Sequence, residues 1–267
     1  MFLKNYFFKE KIKQNSYFIW KSKKKNIETI KQFKPLDLKL IIGVDSQKQI
    51  LLKNTINFAE GNFTNNALLW GARGNGKSSL IKSVFNKILN SYKNLKLIQL
   101  NKNDIFDIEY IYSVLGKYNH FRFIIFIDDL SFEKIDSDYK IIKSTLDGSI
   151  QNQPTNILLY VSSNRRHLMP RDMIDNERSS AIHTDESVEE KISLSDRFGL
   201  WIGFHKLSQK DYLKIVETYC LHYNINYDEK ISKKAIQWSL QRGNRTGRTA
   251  WQFILNTASD QNLKIKI

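Results

Sequence analysis

A single cysteine, Cys220, excludes an internal disulfide framework and fits a reducing cytoplasm. Its surroundings, IVETYCLHYNI, have the apolar spacing of a helix face, so a buried thiol is expected rather than a nucleophile. No apolar run approaches the ~20 residues a membrane-spanning helix needs, so no membrane partner is expected. The first ~30 residues lack both the small-residue cleavage site of a secretory signal and an apolar stretch long enough for its core. Neither a helix-turn-helix nor a zinc finger is evident, and no internal repeat appears. His183 lies near acidic residues 185 to 190, yet no second His or Cys stands at ligand spacing from it.

Acidic residues are the scarcer sign, 27 against 42 basic ones, which leaves a net charge of +15. Residues 1 to 40 hold eleven lysines against Glu10, Glu28 and Asp37, so +8 of that excess sits in this short stretch. A basic tail can hold anionic partners through counterion release. It can equally be a solvated arm, and the abundance of Asn, Ile and Lys throughout the chain favours that plainer view.

The length suits one α/β domain with a small appendage. The N-terminal segment, with its aromatic clusters YFF and YFIW between lysines, is expected to form an amphipathic helix that docks on the body or on a partner. Pro35 marks a boundary, and LKLIIGV then opens the core. Beyond it, DSQKQILLKNTINFAEG has helical spacing with Asp45 as cap. ALLW, LKLIQL at 95 to 100, RFIIFID at 122 to 128, NILLYVSSN at 156 to 164 and LWIGFH at 200 to 205 are short apolar runs of the kind buried parallel strands show. Helical stretches separate them, which predicts a parallel sheet with helices on both faces. After Ser208 only helical signals remain, beginning near Gln209, Asp228 and Thr246. The expected division is a basic extension over 1–39, a nucleotide-binding α/β domain over 40–207 and a helical lid over 208–267.

The octet GARGNGKS, residues 71 to 78, lies between the apolar run ending at Trp70 and a helix-like segment. It meets the pattern G-x-x-x-x-G-K-[ST] in its phosphate-binding context, strand then helix. Glycines let backbone N–H groups turn inward around a polyphosphate, and the helix N-terminus adds partial positive charge. Gly71, Ala72, Arg73, Gly74, Asn75, Gly76, Lys77, Ser78 and Ser79 are therefore candidate ATP-binding residues, with Lys77 reaching the β- and γ-phosphates and Ser78 on Mg2+. The plain alternative is a glycine-rich turn that happens to carry a lysine. A second signal is FIIFIDDL, which delivers Asp128 and Asp129 to the C-terminal end of a strand, the edge where open α/β sheets bind ligands. Asp128 is a candidate magnesium ligand and Asp129 a candidate for polarising the attacking water, although such residues also cap helices. Asn164 closes the next strand, Arg197 precedes Phe198, and Arg245 and Arg248 stand at the start of the last helix. A guanidinium suits phosphate oxygens, but each of these residues taken singly also fits a plain surface or capping role.

In this order, phosphate loop, Asp-Asp strand, strand-end Asn, Arg-Phe box and lid arginine, the chain resembles the AAA+ ATPases over about residues 40 to 260. More narrowly, LLWGARGNGKSSLIKS, FIDDLSFE, YKIIKSTLDGSI, LLYVSSNRRHLMPR, EEKISLSDRFGLWIGFH and GRTAWQF resemble the bacterial family catalogued as domain of unknown function 815. The resemblance implies an α/β domain and helical lid with ATP at their junction. It makes Lys77 and Ser78 the Walker A pair, Asp128 the Walker B carboxylate, Asn164 sensor 1 and Arg197 an arginine finger inserted into a neighbouring subunit of a homo-oligomer. Arg248 is the better sensor 2 candidate, with Arg245 in reserve, and IIGVD at 41 to 45 matches the segment that lines the adenine pocket. Most AAA+ ATPases carry Glu where this chain has Asp129; the shorter side chain withdraws the carboxylate, so slow turnover stimulated by assembly is expected. Glu133 would substitute only if its loop folded back.

Two functions stay open: an ATP-driven switch or remodeller of a protein or nucleic-acid partner, and a regulatory module that binds nucleotide with negligible hydrolysis. The basic segment NRRHLMPR, with Arg165, Arg166, His167 and Arg171, is read as contacting nucleic acid, sensing nucleotide or fixing the sheet to the lid. Ile105-Phe106 lacks the glycine of a pore loop, so threading of a protein client is unsupported. No metal beyond magnesium is expected.

Overall fold

The computed structural model describes residues 2–133, 137–147, 153–168 and 194–265. Arg171 and His183 lie outside the described residues. Helix α1 (Phe2–Gln14) precedes strands β1 (Tyr17–Lys21) and β2 (Asn26–Thr29); then come α2 (Asp45–Ala59), β3 (Ala67–Gly71), α3 (Lys77–Ile88) and β4 (Leu95–Leu100). After these follow α4 (Ile108–Leu115), β5 (Arg122–Ile127), α5 (Ser137–Asp147), β6 (Ile157–Ser163) and β7 (Leu200–Phe204). Three helices complete the described chain: α6 (Gln209–His222), α7 (Glu229–Gln241) and α8 (Gly247–Asp260). Among the described residues no helix is long and apolar enough to cross a membrane.

The seven strands are ordered β2-β1-β4-β5-β6-β3-β7. Strand β4 pairs in parallel with β1 and β5, and β6 with β5 and β3; only the β1–β2 pair is antiparallel among the registers described. The interior strands are apolar on both faces because both are covered: all seven residues of β6 are buried. Compact packing divides the chain into two units. The first comprises Met1–Phe33, Leu52–Trp70 and Ile88–Gly203; the second comprises Lys34–Leu51, Gly71–Lys87 and Phe204–Ile267.

In the first unit the N-terminal segment is more than an arm. Strand β1 buries Phe18 and Trp20 and exposes more of Tyr17, Ile19 and Lys21, the alternation of a strand with one covered face. Ile12, Phe18, Trp20 and Ile27 belong to the same core cluster as Ile98, Ile125 and Leu159 of the central strands. The core thus opens well before Pro35. Buried Asp107 accepts hydrogen bonds from Trp20 Nε1 at 2.8 Å and from the Lys25 ammonium, fixing the hairpin to the segment after β4.

Lys96 in β4 is only 1 % exposed, and its Nζ donates to the Asn15 carbonyl at 2.9 Å. Burial, with the Lys93 charge as a lesser cause, pulls its ammonium down to about 8. A folded value below the unfolded one near 10.5 means that the unfolded chain binds more protons between them, so stability rises with pH from about 8 to about 10.5. Lys96→Met is expected to be more stable than the wild type at pH 7, by on the order of 1–3 kcal/mol. The advantage should shrink as pH rises toward 10. Melting curves across this range check it, and a pH-independent difference would assign the titration elsewhere.

The second unit packs α6, α7 and α8 around Tyr212, Val216, Cys220, Ala235, Phe253 and Ile254, joined by Leu40. Each helix starts where its sequence signals it should. Ser208 and Asp211 form a reciprocal capping box, Asp228 accepts from Ile231 N at 2.8 Å, and Thr246 accepts from Thr249 N at 3.1 Å. Burial raises the Cys220 thiol to about 11, which keeps it protonated and unreactive at neutral pH.

Candidate functional site

In the second unit the chain leaves β3 through a loop that only glycine permits at its closest approaches. Gly71 has φ +128°, and a Cβ there would lie 2.0 Å from the Phe204 carbonyl oxygen. That same oxygen accepts from Ala72 N at 3.0 Å, so the backbones need this proximity. Gly74 has φ +83°, and a Cβ would crowd Thr246 Oγ1 at 3.0 Å. Its carbonyl accepts from Arg248 N at 3.2 Å. A third tie is the Asn75 side chain, whose Nδ2 donates to the His205 carbonyl at 2.6 Å. The loop is thereby stitched to the end of β7 and to the first turn of α8.

Lys77, the first residue of α3, is 6 % exposed, and its Nζ donates to the carbonyls of Gly71 at 2.8 Å and Ala72 at 2.9 Å. The loop therefore wraps its own ammonium. Gly76 passes its carbonyl to Leu80 N at 2.7 Å, which starts the helix, and Ser78 and Ser79 fall in the first turn, where backbone N–H groups have no intrahelical acceptor. Arg73 is exposed on the loop. A buried cation, left-handed glycines and a helix N-terminus make a donor-rich cradle that fits a polyphosphate. Asn75 adds an orphan. The residue is 7 % exposed, and its Oδ1 is buried with no hydrogen-bond partner among the described residues, a deficit that costs about 1–3 kcal/mol.

The two lid arginines differ in setting. Arg248 is exposed, and its backbone is bonded to the loop. Arg245 donates from Nη2 to Gln209 Oε1 at 3.2 Å, and its buried Nε has no partner among the described residues. Ile41, from the IIGVD segment, is the neighbour a Cβ on Gly76 would touch, at 3.6 Å.

In the first unit, parallel pairing of β5 with β6 sets Ile127 opposite Val161. One step further, Ser162 meets the two aspartates. Its hydroxyl donates to Asp128 Oδ1 at 2.5 Å and accepts from Asp129 N at 3.0 Å. The Asn164 side-chain amide donates to Asp129 Oδ1, and Leu130 N donates to the Ser162 carbonyl at 2.8 Å. Asp129 takes φ +55°, a left-handed conformation that costs most L-residues roughly 1–2 kcal/mol and that Asp and Asn tolerate best. These bonds hold two carboxylates at the strand end, a hard oxygen donor set that fits magnesium. Ser162 was not singled out from the sequence. A serine ending an apolar strand is uninformative until the strand register is known.

The residues after Asn164 are anchored within the same unit. Arg165 donates to the Phe132 carbonyl at 2.9 Å and pairs with Glu133 at 2.9 Å, which engages the carboxylate considered as a stand-in for Asp129. Arg166 sits over Trp70 and Trp201, 5.2 and 5.5 Å from the ring centroids. His167 Nδ1 lies 3.3 Å from Ser195 Oγ. Arg197, half-buried, follows the turn that Leu194, Ser195 and Phe198 bury.

Known structures share this architecture. The chain is similar to a single-substitution mutant of RuvB from Thermotoga maritima, with TM-score 0.54, 16 % identity and coverage of 87 % of this chain and 75 % of that one. It is similar to the Aeropyrum pernix Orc1 protein in complex with DNA, with TM-score 0.57, 14 % identity and coverage of 85 % and 65 %. Domain III of the Thermotoga maritima replication initiation protein DnaA gives TM-score 0.53, 12 % identity and coverage of 86 % and 91 %. Identities this low speak for the fold alone. No match was found among curated proteins. The family model described as "Protein of unknown function (DUF815)" matches residues 13–261, from the end of α1 through α8 and so including the β1–β2 hairpin, and the chain therefore belongs to that family, with the fold of an AAA+ P-loop ATPase.

Proposed function

We propose that the chain binds ATP with magnesium, hydrolyses it slowly, and works as an assembly-dependent switch on a macromolecular partner. The observation that carries this reading is the Lys77 ammonium enclosed by a left-handed glycine loop at the start of α3. Lys77 and the first-turn N–H groups hold the phosphates. Ser78 and Asp128 hold magnesium, which when bound neutralises charge on the phosphate oxygens. Asp129 and Asn164 orient the attacking water. Arg248 contacts phosphate from the lid, and Arg197 acts in a neighbouring copy, where such a residue is worth several orders of magnitude in phosphoryl transfer. Asp129 is short and already shared with Asn164, which supports slow intrinsic turnover.

Steady-state ATPase rates measured across protein concentration test this. Turnover per chain should rise with concentration and disappear in Arg197→Ala. The second function, a regulatory module that binds nucleotide without hydrolysing it, draws support from the Asp129–Asn164 bond. Tight ATP binding with zero turnover at every concentration would select it. Protein and nucleic acid both remain candidate partners; the solved likeness of Orc1 with DNA and the charge of +15 support the second.

A further inference from the structure

We infer that Asn75 is a specificity-determining residue whose amide oxygen accepts a hydrogen bond from the 6-amino group of an adenine base. The inference rests on the nucleotide reading above and deepens it. The amide's orientation is fixed, because Nδ2 donates to the His205 carbonyl at 2.6 Å, and reversing the amide would press two acceptor oxygens together. Oδ1 is then left buried, with no donor among the described residues. Such an orphan acceptor calls for a donor that arrives with a ligand.

The residues around it place this acceptor at the root of the phosphate cradle. Gly74 on one side abuts Thr246 and Arg248, and Gly76 on the other faces Ile41. A triphosphate chain offers only acceptors, so the donor must come from the nucleoside. Adenine presents an amino group at position 6, whereas guanine presents a carbonyl oxygen there. The same Asn75 oxygen that welcomes the amine repels the carbonyl, and a polar group left unpaired on binding the wrong base discriminates strongly.

Calorimetric titration of the full chain with magnesium complexes of ATP, GTP and dATP tests the assignment, in the wild type and in Asn75→Leu, with Asn75→Ala used if leucine prevents folding. The wild type should prefer ATP over GTP by about a hundredfold or more, and Asn75→Leu should narrow that preference at least about tenfold. If the substitution weakens ATP and GTP by the same factor, Asn75 merely ties the loop to His205 and the inference is overturned. A dATP deficit present in the wild type and absent in Asn75→Leu would assign the donor to the ribose 2′-hydroxyl and overturn it too. A wild type that binds none of the three nucleotides removes the underlying nucleotide reading instead, and is told apart by that arm alone.

Discussion

Lys77→Ala is expected to weaken magnesium-ATP binding by about 30- to 100-fold while the fold stays intact. Hydrogen bonds to a charged group contribute about 1.5–3 kcal/mol each, and a phosphate oxygen would take the ammonium from the two carbonyls that now hold it. The ammonium is already positioned, so little ordering cost is met on binding. Without nucleotide, the variant exposes two loop carbonyls that are only half-buried, and water can satisfy them. The melting temperature should therefore move by a few degrees at most. Calorimetry and a thermal melt on the same preparation decide it. Equal heats from wild type and variant would remove the loop from any role in phosphate binding.

Asp129→Asn should lower turnover by about a hundredfold or more without loss of stability. A residue that orients or deprotonates the attacking group contributes about 10²- to 10⁴-fold. Asparagine tolerates φ +55° as well as aspartate does, and its oxygen can still accept from Asn164. Asp129→Ala, by contrast, would lose that bond and carry the left-handed penalty of roughly 1–2 kcal/mol. Comparing kcat and melting temperature across the two variants separates chemistry from backbone strain. An Asp129→Asn chain that turned over at the wild-type rate would exclude Asp129 from the reaction. If turnover stops while ATP stays bound, the same variant should retain partners in a pull-down that the wild type releases.

The glycine loop and the twin aspartates were legible because each is a local pattern beside an unbroken apolar strand. Strands β3 to β7 read clearly for the same reason: buried on both faces, they leave no polar residues to blur the run. Strand β1 did not. Tyr17, Phe18, Ile19 and Trp20 are large on both faces, so the alternation that marks a half-covered strand is hidden in the sequence, and the lysines around it suggest a solvated arm. Only its parallel pairing with β4 shows which residues turn inward. Ser162 stayed hidden for a different cause. Its partner Asp128 is 34 residues away, and the two meet through strand register, which local spacing does not encode. The contacts of Arg166 with two tryptophans from separate strands are equally non-local.

The hairpin at the sheet margin has a bearing on any attempt to isolate the ATP-binding core. Strand β4 pairs on one side with β1, so a chain shortened to begin near Leu40 would strip that flank bare and leave its amides and carbonyls seeking another strand. The margin that now meets solvent is four-residue β2, whose Glu28 pairs with Lys24 at 2.6 Å, a short and charged rim poorly suited to recruiting further strands. The lysine-rich beginning of this polypeptide thus guards it against sticking to its own copies.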